Sequence, residues 1–165
     1  MLSKKMQQAI NEQIAYEFYS AYLYLAMSAH FETQNLKGFA AWMRKKFAEE
    51  QTHAMKFFDY VNDRGGKVEL GSIPQPPSAW RTHLAVFEQS LEHERSVTHR
   101  IHKLYELALA EKDYATQSML KWFIDEQVEE EKTVAEVIEQ LKLIDTRGSA
   151  ILMLDHRLAE SAEKE

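Results

Sequence analysis

A chain of 165 residues, 45% hydrophobic and 11% aromatic, is long enough for one domain with its own core and too apolar to remain disordered. The absence of cysteine excludes disulfide frameworks, thiolate zinc sites, iron–sulfur clusters and cysteine nucleophiles. A net charge of −6, from 26 acidic and 20 basic residues with no basic stripe, argues against nucleic acid as a partner.

Residues 1–13 mix Lys4, Lys5, Gln7, Gln8, Asn11 and Glu12 with scattered apolar residues, so no signal-peptide core is expected there. The first helix is predicted over 4–33, where Ile10, Ile14, Glu17, Ala21, Tyr24, Ser28 and Phe31 recur at alternating steps of four and three. Its most apolar run, Ala21 to Met27, is far too short to span a bilayer. No membrane partner is expected, and the expected location is the cytoplasm. Thr33-Gln34-Asn35 offers an N-cap for a second helix over 36–64, whose stripe is Leu36, Ala40, Met43, Phe47, Glu50, Ala54, Phe57 and Val61.

Gly65, Gly66, Gly71, Pro74, Pro76 and Pro77 then mark residues 65–81 as the one long loop. A third helix, 82–111, carries Leu84, Phe87, Leu91, Glu94, Thr98, Ile101, Tyr105 and Ala108. Glu111-Lys112-Asp113 offers the next cap. A fourth helix, 114–145, carries Leu120, Phe123, Gln127, Glu130, Val134, Val137, Leu141 and Ile144. Thr146-Arg147-Gly148 closes it, and a short fifth helix is expected over 149–161.

A 3.5-residue rhythm is a bundle seam, and strands do not produce it. The short breaks make helices one and two antiparallel, and likewise three and four. Residues 65–81 reach about 56 Å when extended, whereas a 29-residue helix is about 44 Å long. That loop can cross the whole bundle and leave helices two and three parallel. The expected fold is all-α: a single domain over 1–165, with a four-helix bundle (4–145), one long crossover and a fifth helix.

Each stripe is broken by a carboxylate near its helix's midpoint: Glu17, Glu50, Glu94 and Glu130. A glutamate on a helix ordinarily faces water. Four at seam positions and at one height, however, would converge inside the core, where unpaired charges cost several kcal/mol each. No Lys or Arg occupies the same seam level. Two divalent cations would balance four negative charges. Glu50-Gln51-Thr52-His53 also places an imidazole one turn from a carboxylate, so both can face one ion. A donor set rich in oxygen, with one nitrogen and no sulfur, favours iron or manganese over structural zinc.

These residues resemble those of the bacterial and archaeal non-haem ferritins. The motifs are Glu17-x6-Tyr24, Glu49-Glu50-x-x-His53, Glu94 and Glu126-Gln127-x-Glu129-Glu130, and the likeness runs from Leu2 to about Leu158. The resemblance implies a di-iron ferroxidase centre that oxidises Fe²⁺ to Fe³⁺ with dioxygen or peroxide. Glu17, Glu50 and His53 would hold the first iron, and Glu50, bridging, with Glu94 and Glu130 the second. Gln127 would be a close or weak contact. Glu49, Glu126 and Glu129, with Glu130, would form a third iron site. Tyr24 would stand beside the iron pair as an electron donor. Trp122, one turn before Glu126, matches a tryptophan given a similar role and reads equally well as a boundary aromatic. Gln51 stands where a haem-ligating methionine would be needed, so no haem is expected. The resemblance further implies iron storage in a shell of 24 identical chains, with the fifth helix (Ile151, Leu152, Leu154, Leu158) around fourfold axes. A catalytic di-iron or di-manganese oxidase without storage, or a metal-free interaction bundle, would fit the same stripes.

Overall fold

A computed structural model of the chain describes residues 1–145 and 148–164. Five helices follow in order: α1 (Lys4–Thr33), α2 (Lys37–Asp63), α3 (His83–Ala110), α4 (Tyr114–Leu143) and α5 (Ala150–Glu163). The described residues contain no strand. The predicted break at Thr146 and Arg147 lies outside the described residues.

Local chemistry sets the helix ends. Ser3, Thr82 and Asp113 each accept a hydrogen bond from the backbone N–H three residues on, which satisfies one orphan donor at the starts of α1, α3 and α4. The expectation for α2 was different from what the structure adopts. Asn35 does not cap that helix; it takes a left-handed turn (φ 57°) that ends α1, and Leu36 at the N-cap has no side-chain acceptor to offer. The acceptor comes from α5 instead, where Asp155 Oδ1 receives the Phe39 N–H at 2.9 Å.

Side-chain pairs fix the topology. Tyr16–Ser96, Ser20–His93 and Tyr24–Ser90 contacts make α1 and α3 antiparallel. Tyr60–Thr116, Phe57–Phe123 and Lys46–Glu130 do the same for α2 and α4. Since α1 is also antiparallel to α2 across a short turn, α2 and α3 run parallel, as the loop lengths require. The crossover is laid along α1: Lys67 N–H donates to Gln7 and Asn11 donates to Lys67 O near its start, and Trp80 packs on His30 at its end.

The apolar core is divided in two. One cluster contains Tyr24, Met27, Phe31, Phe39, Met43, Phe87, Val134 and Val137, with α5 closing it through Ile151, Leu154 and Leu158. The other contains Met6, Ile10, Ile14, Phe57, Val61, Ile101, Leu120 and Phe123. In each of the four long helices the seam carboxylate falls between its contributions to the two clusters. On α3 the buried face is rotated from the expected stripe: Leu84, Leu91, Thr98 and Tyr105 are only half buried, while Val86, Ser90, His93, Val97 and Leu104 are buried. Burial of the polar members is possible because they are paired, His93 Nε2 with Ser20 Oγ at 2.6 Å and Ser90 with Tyr24.

Candidate metal centre

Glu17, Glu50, Glu94 and Glu130 are at most 3% exposed, and His53 is buried with them. The helices aim them at a common level, and their oxygens and the imidazole form interlocking triads. Glu17, Glu50 and His53 bring one donor atom each within 4.8 Å of one another, as do Glu50, Glu94 and Glu130, and His53, Glu126 and Glu130. Glu50 therefore belongs to two fully buried triads.

Two carboxylate oxygens at this level, Glu17 Oε2 and Glu50 Oε1, are buried with no donor group reaching them, and the two carboxyls can bond each other only by sharing a proton. An orphaned buried acceptor is costly and rare. Their partners are directed elsewhere: Gln13 Nε2 donates to Glu17 Oε1 at 2.8 Å, and His53 Nδ1 lies 3.3 Å from Glu50 Oε2. Hard oxygen donors left over in this way, beside an imidazole, fit a cation.

Electrostatics agree. Burial, reinforced by the Glu50 charge and opposed by His53 and Gln13, raises the Glu17 pKa to about 8. Glu94 is raised to about 7 by burial and the Glu130 charge, against hydrogen bonds from Tyr24 and Gln127. Burial, then Glu94 and Glu130, lift Glu50 well above the ordinary carboxyl range. Without a cation, desolvation and mutual crowding thus push Glu17, Glu50 and Glu94 toward their protonated forms.

Tyr24 is fully buried beside the cluster and donates its phenol to Glu94 Oε1 at 2.5 Å. Burial and the Glu94, Glu130 and Glu50 charges keep that phenol protonated well beyond its usual range. Gln127 donates to the other oxygen of Glu94 at 3.2 Å and so lies against the cluster from α4. Trp122 is exposed and meets His53 edge-on, ring centroids 5.5 Å apart, with the Lys56 ammonium over the indole ring 4.1 Å from its centroid.

The remaining acidic residues are arranged differently. Glu126 is half buried, with an oxygen 4.0 Å from His53 Nε2, and burial followed by the Glu130 charge raises its pKa. Glu49 and Glu129 join none of the three triads. They line, with Glu126 and Glu130, an adjoining cavity of about 230 Å³ between α2 and α4.

One expectation needs correction. A cation does stand at this level: Lys46, only 8% exposed, donates to Glu130 Oε2 at 2.5 Å and lies 3.2 Å from Glu49 Oε2. Lys46 precedes Glu50 by one turn, off the seam, and its flexible stem carries the ammonium across to α4. Burial pulls its pKa down, but Glu130 and Glu49 outweigh that and hold it charged. Gln13 was also missed, one turn before Glu17. The i, i+4 spacing to a seam glutamate was the available signal in both cases.

A family model described as "Ferritin-like domain" matches residues 7–144. The chain belongs to the ferritin-like family. Among its relatives, a bacterial non-heme ferritin of Bacteroides fragilis (strain 638R) is 44% identical over 160 residues, covering 97% of this chain and 99% of that protein. A bacterial non-heme ferritin of Staphylococcus haemolyticus is 40% identical over 159 residues, 96% of each. The fold matches an open-pore ferritin from the hyperthermophilic archaeon Archaeoglobus fulgidus with a TM-score of 0.95 at 50% identity, over 96% of this chain and 98% of that one. A closed form of the same ferritin, engineered by site-directed mutagenesis, matches equally well at TM-score 0.95 and 50% identity. Among the described residues no helix of this ferritin-like chain is long and apolar enough to cross a membrane.

Proposed function

We propose that this chain oxidises Fe²⁺ at a paired site and stores the ferric product inside a shell of its own copies. The observation that carries the reading is Glu50: one buried carboxylate, with an orphaned oxygen, shared between two triads. Glu17, Glu50 and His53 hold the first Fe²⁺, and Glu50, Glu94 and Glu130 hold the second. Two irons that share a ligand lose their electrons together to dioxygen or peroxide, and one-electron release is avoided. Hard oxygen ligands favour Fe³⁺ over Fe²⁺ and so favour the oxidation. The protons held by Glu17, Glu50 and Glu94 leave as the ions enter. Tyr24, donating to Glu94, is placed to supply an electron, and Gln127 steadies the same carboxylate.

Glu49, Glu126 and Glu129, with Glu130, form a third position through which iron leaves the pair; their common cavity supports this. Storage needs a container, and the likeness to a ferritin described as having an open pore supports a hollow shell, which we propose to contain 24 copies. The test is Fe²⁺ added in air to metal-free protein, followed by oxidation kinetics and electron microscopy. Rapid oxidation and dense particles inside round shells are expected. Glu50→Ala should abolish the rapid phase, and a variant that retained it would overturn the site.

A further inference from the structure

The third position proposed above is already neutralised in part from within the chain. The Lys46 ammonium sits between Glu130 and Glu49, two of the four carboxylates assigned to it, and the cavity those residues line is also bounded by Lys45, Trp42 and Ser161. The contacts are unequal. Glu130 receives an aligned hydrogen bond, whereas Glu49 Oε2 has only the ion-pair contact and no hydrogen-bond partner. Glu129 remains exposed beside Lys132, and a Glu126 oxygen lies 4.0 Å from His53 Nε2.

We propose that Lys46 is an intramolecular competitor for the third metal position. Its ammonium binds Glu130 and Glu49 when that position is vacant and has to swing away before an ion can settle among Glu49, Glu126, Glu129 and Glu130. A compact ammonium on a four-carbon stem suits this role, because it leaves by bond rotation alone and the adjoining 230 Å³ cavity gives it room. Competition of this kind makes the third position one of transit. An ion leaving the iron pair passes through, and the returning ammonium keeps it from resting there.

The inference rests on the third-position reading, and the experiment separates the two. Zn²⁺, which undergoes no redox chemistry, is titrated into assembled metal-free protein by calorimetry and equilibrium dialysis. Two tight ions per chain are expected, with a third at least tenfold weaker. Lys46→Gln, which keeps a donor for Glu130 but removes the charge, should tighten the third class by tenfold or more. Adding Glu129→Gln should return the count to two. Lys46→Arg, which keeps the charge, should restore the wild-type pattern. A Glu129-dependent third ion of equal affinity in the wild type and Lys46→Gln would overturn the competition and leave the third position standing. No Glu129-dependent third ion in either protein would overturn the third position and the competition with it. Should Lys46→Gln fail to assemble, acetylation of wild-type Lys46 read by peptide mapping serves instead. Lys46 should be protected without Zn²⁺ and several-fold more reactive when the third class is filled. Unchanged reactivity would count against the proposal.

Discussion

Glu17 is held by a chain of side chains that reaches the surface. Arg100 Nε donates to Gln13 Oε1 at 2.9 Å, which fixes the amide's orientation so that its NH₂ faces Glu17 Oε1. Arg100 itself is steadied over the Tyr16 ring at 4.2 Å. Gln13→Leu should leave both Glu17 oxygens without a donor and loosen the first ion's ligand, weakening anaerobic Co²⁺ binding by about 10-fold. Arg100→Leu should give a smaller loss of the same sign, with the visible Co²⁺ spectrum altered in both. Unchanged Co²⁺ spectra would mean that the amide does not orient the ligand. The pH dependence has a definite sign. Glu17 is raised to about 8 from an ordinary 4.5, so between those values the folded chain binds more protons than the unfolded one. Metal-free stability should therefore fall as pH rises from about 4.5 to 8. Thermal unfolding of the metal-free protein should show that slope, and Glu17→Gln should make it shallower while Glu50 and Glu94 maintain the remainder. The four seam glutamates were legible because each interrupts an apolar stripe. Lys46 and Gln13 were legible only through their i, i+4 spacing to a seam glutamate, a weak signal, because each sits off the stripe and reaches the site by bending toward it.

Between elements, α2 and α5 complete each other. The N-terminus of α2 lacks its own cap, and Asp155 supplies one from α5 while its carboxylate also faces the positive end of the helix dipole. Gly38 permits that approach: a Cβ there would lie 1.7 Å from the Asp155 carbonyl oxygen, a separation no relaxation of a rotamer can relieve. Gly38→Ala should thus push α5 off the bundle, and Asp155→Ala should cost about 1 kcal/mol. Hydrogen exchange over Ala150–Glu163 measures both, with faster exchange in Gly38→Ala than in Asp155→Ala. Unaltered α5 protection in Gly38→Ala would show that α2 and α5 are not held this closely. Helix number and order were readable from the stripes and the Gly/Pro segment. This dependence of α2 on α5 was not, since a cap lent from 116 residues away leaves no local pattern. The rotation of α3 escaped for a related reason: Ser90 and His93 look solvent-facing until their partners on α1 are known.

For the whole molecule, oxidation and storage rest on different parts. Every residue assigned to the iron pair comes from α1 to α4 of one chain, so the proposed assignment predicts that oxidation needs no neighbouring copy. Storage does, and the outer face of α5 is where disruption can be aimed: Leu152 and Met153 are 62% and 68% exposed, while Ile151, Leu154 and Leu158 hold the inner face against the bundle. Large apolar side chains exposed side by side, rather than singly, ordinarily mark a contact surface. Leu152→Glu combined with Met153→Glu leaves the inner face intact and sets like charges where copies would meet. Light scattering should show a small oligomer in place of the shell. Stopped-flow mixing with two Fe²⁺ per chain should still give a fast phase within about twofold of the wild type, since the site is untouched. Loading with a large excess of iron in air should then precipitate it outside the protein, with no dense particles retained. If the small oligomer lost the fast phase as well, the site would need contributions across a chain boundary. If the unaltered protein were itself small and held only two or three metals per chain, the oxidase reading without storage would take its place.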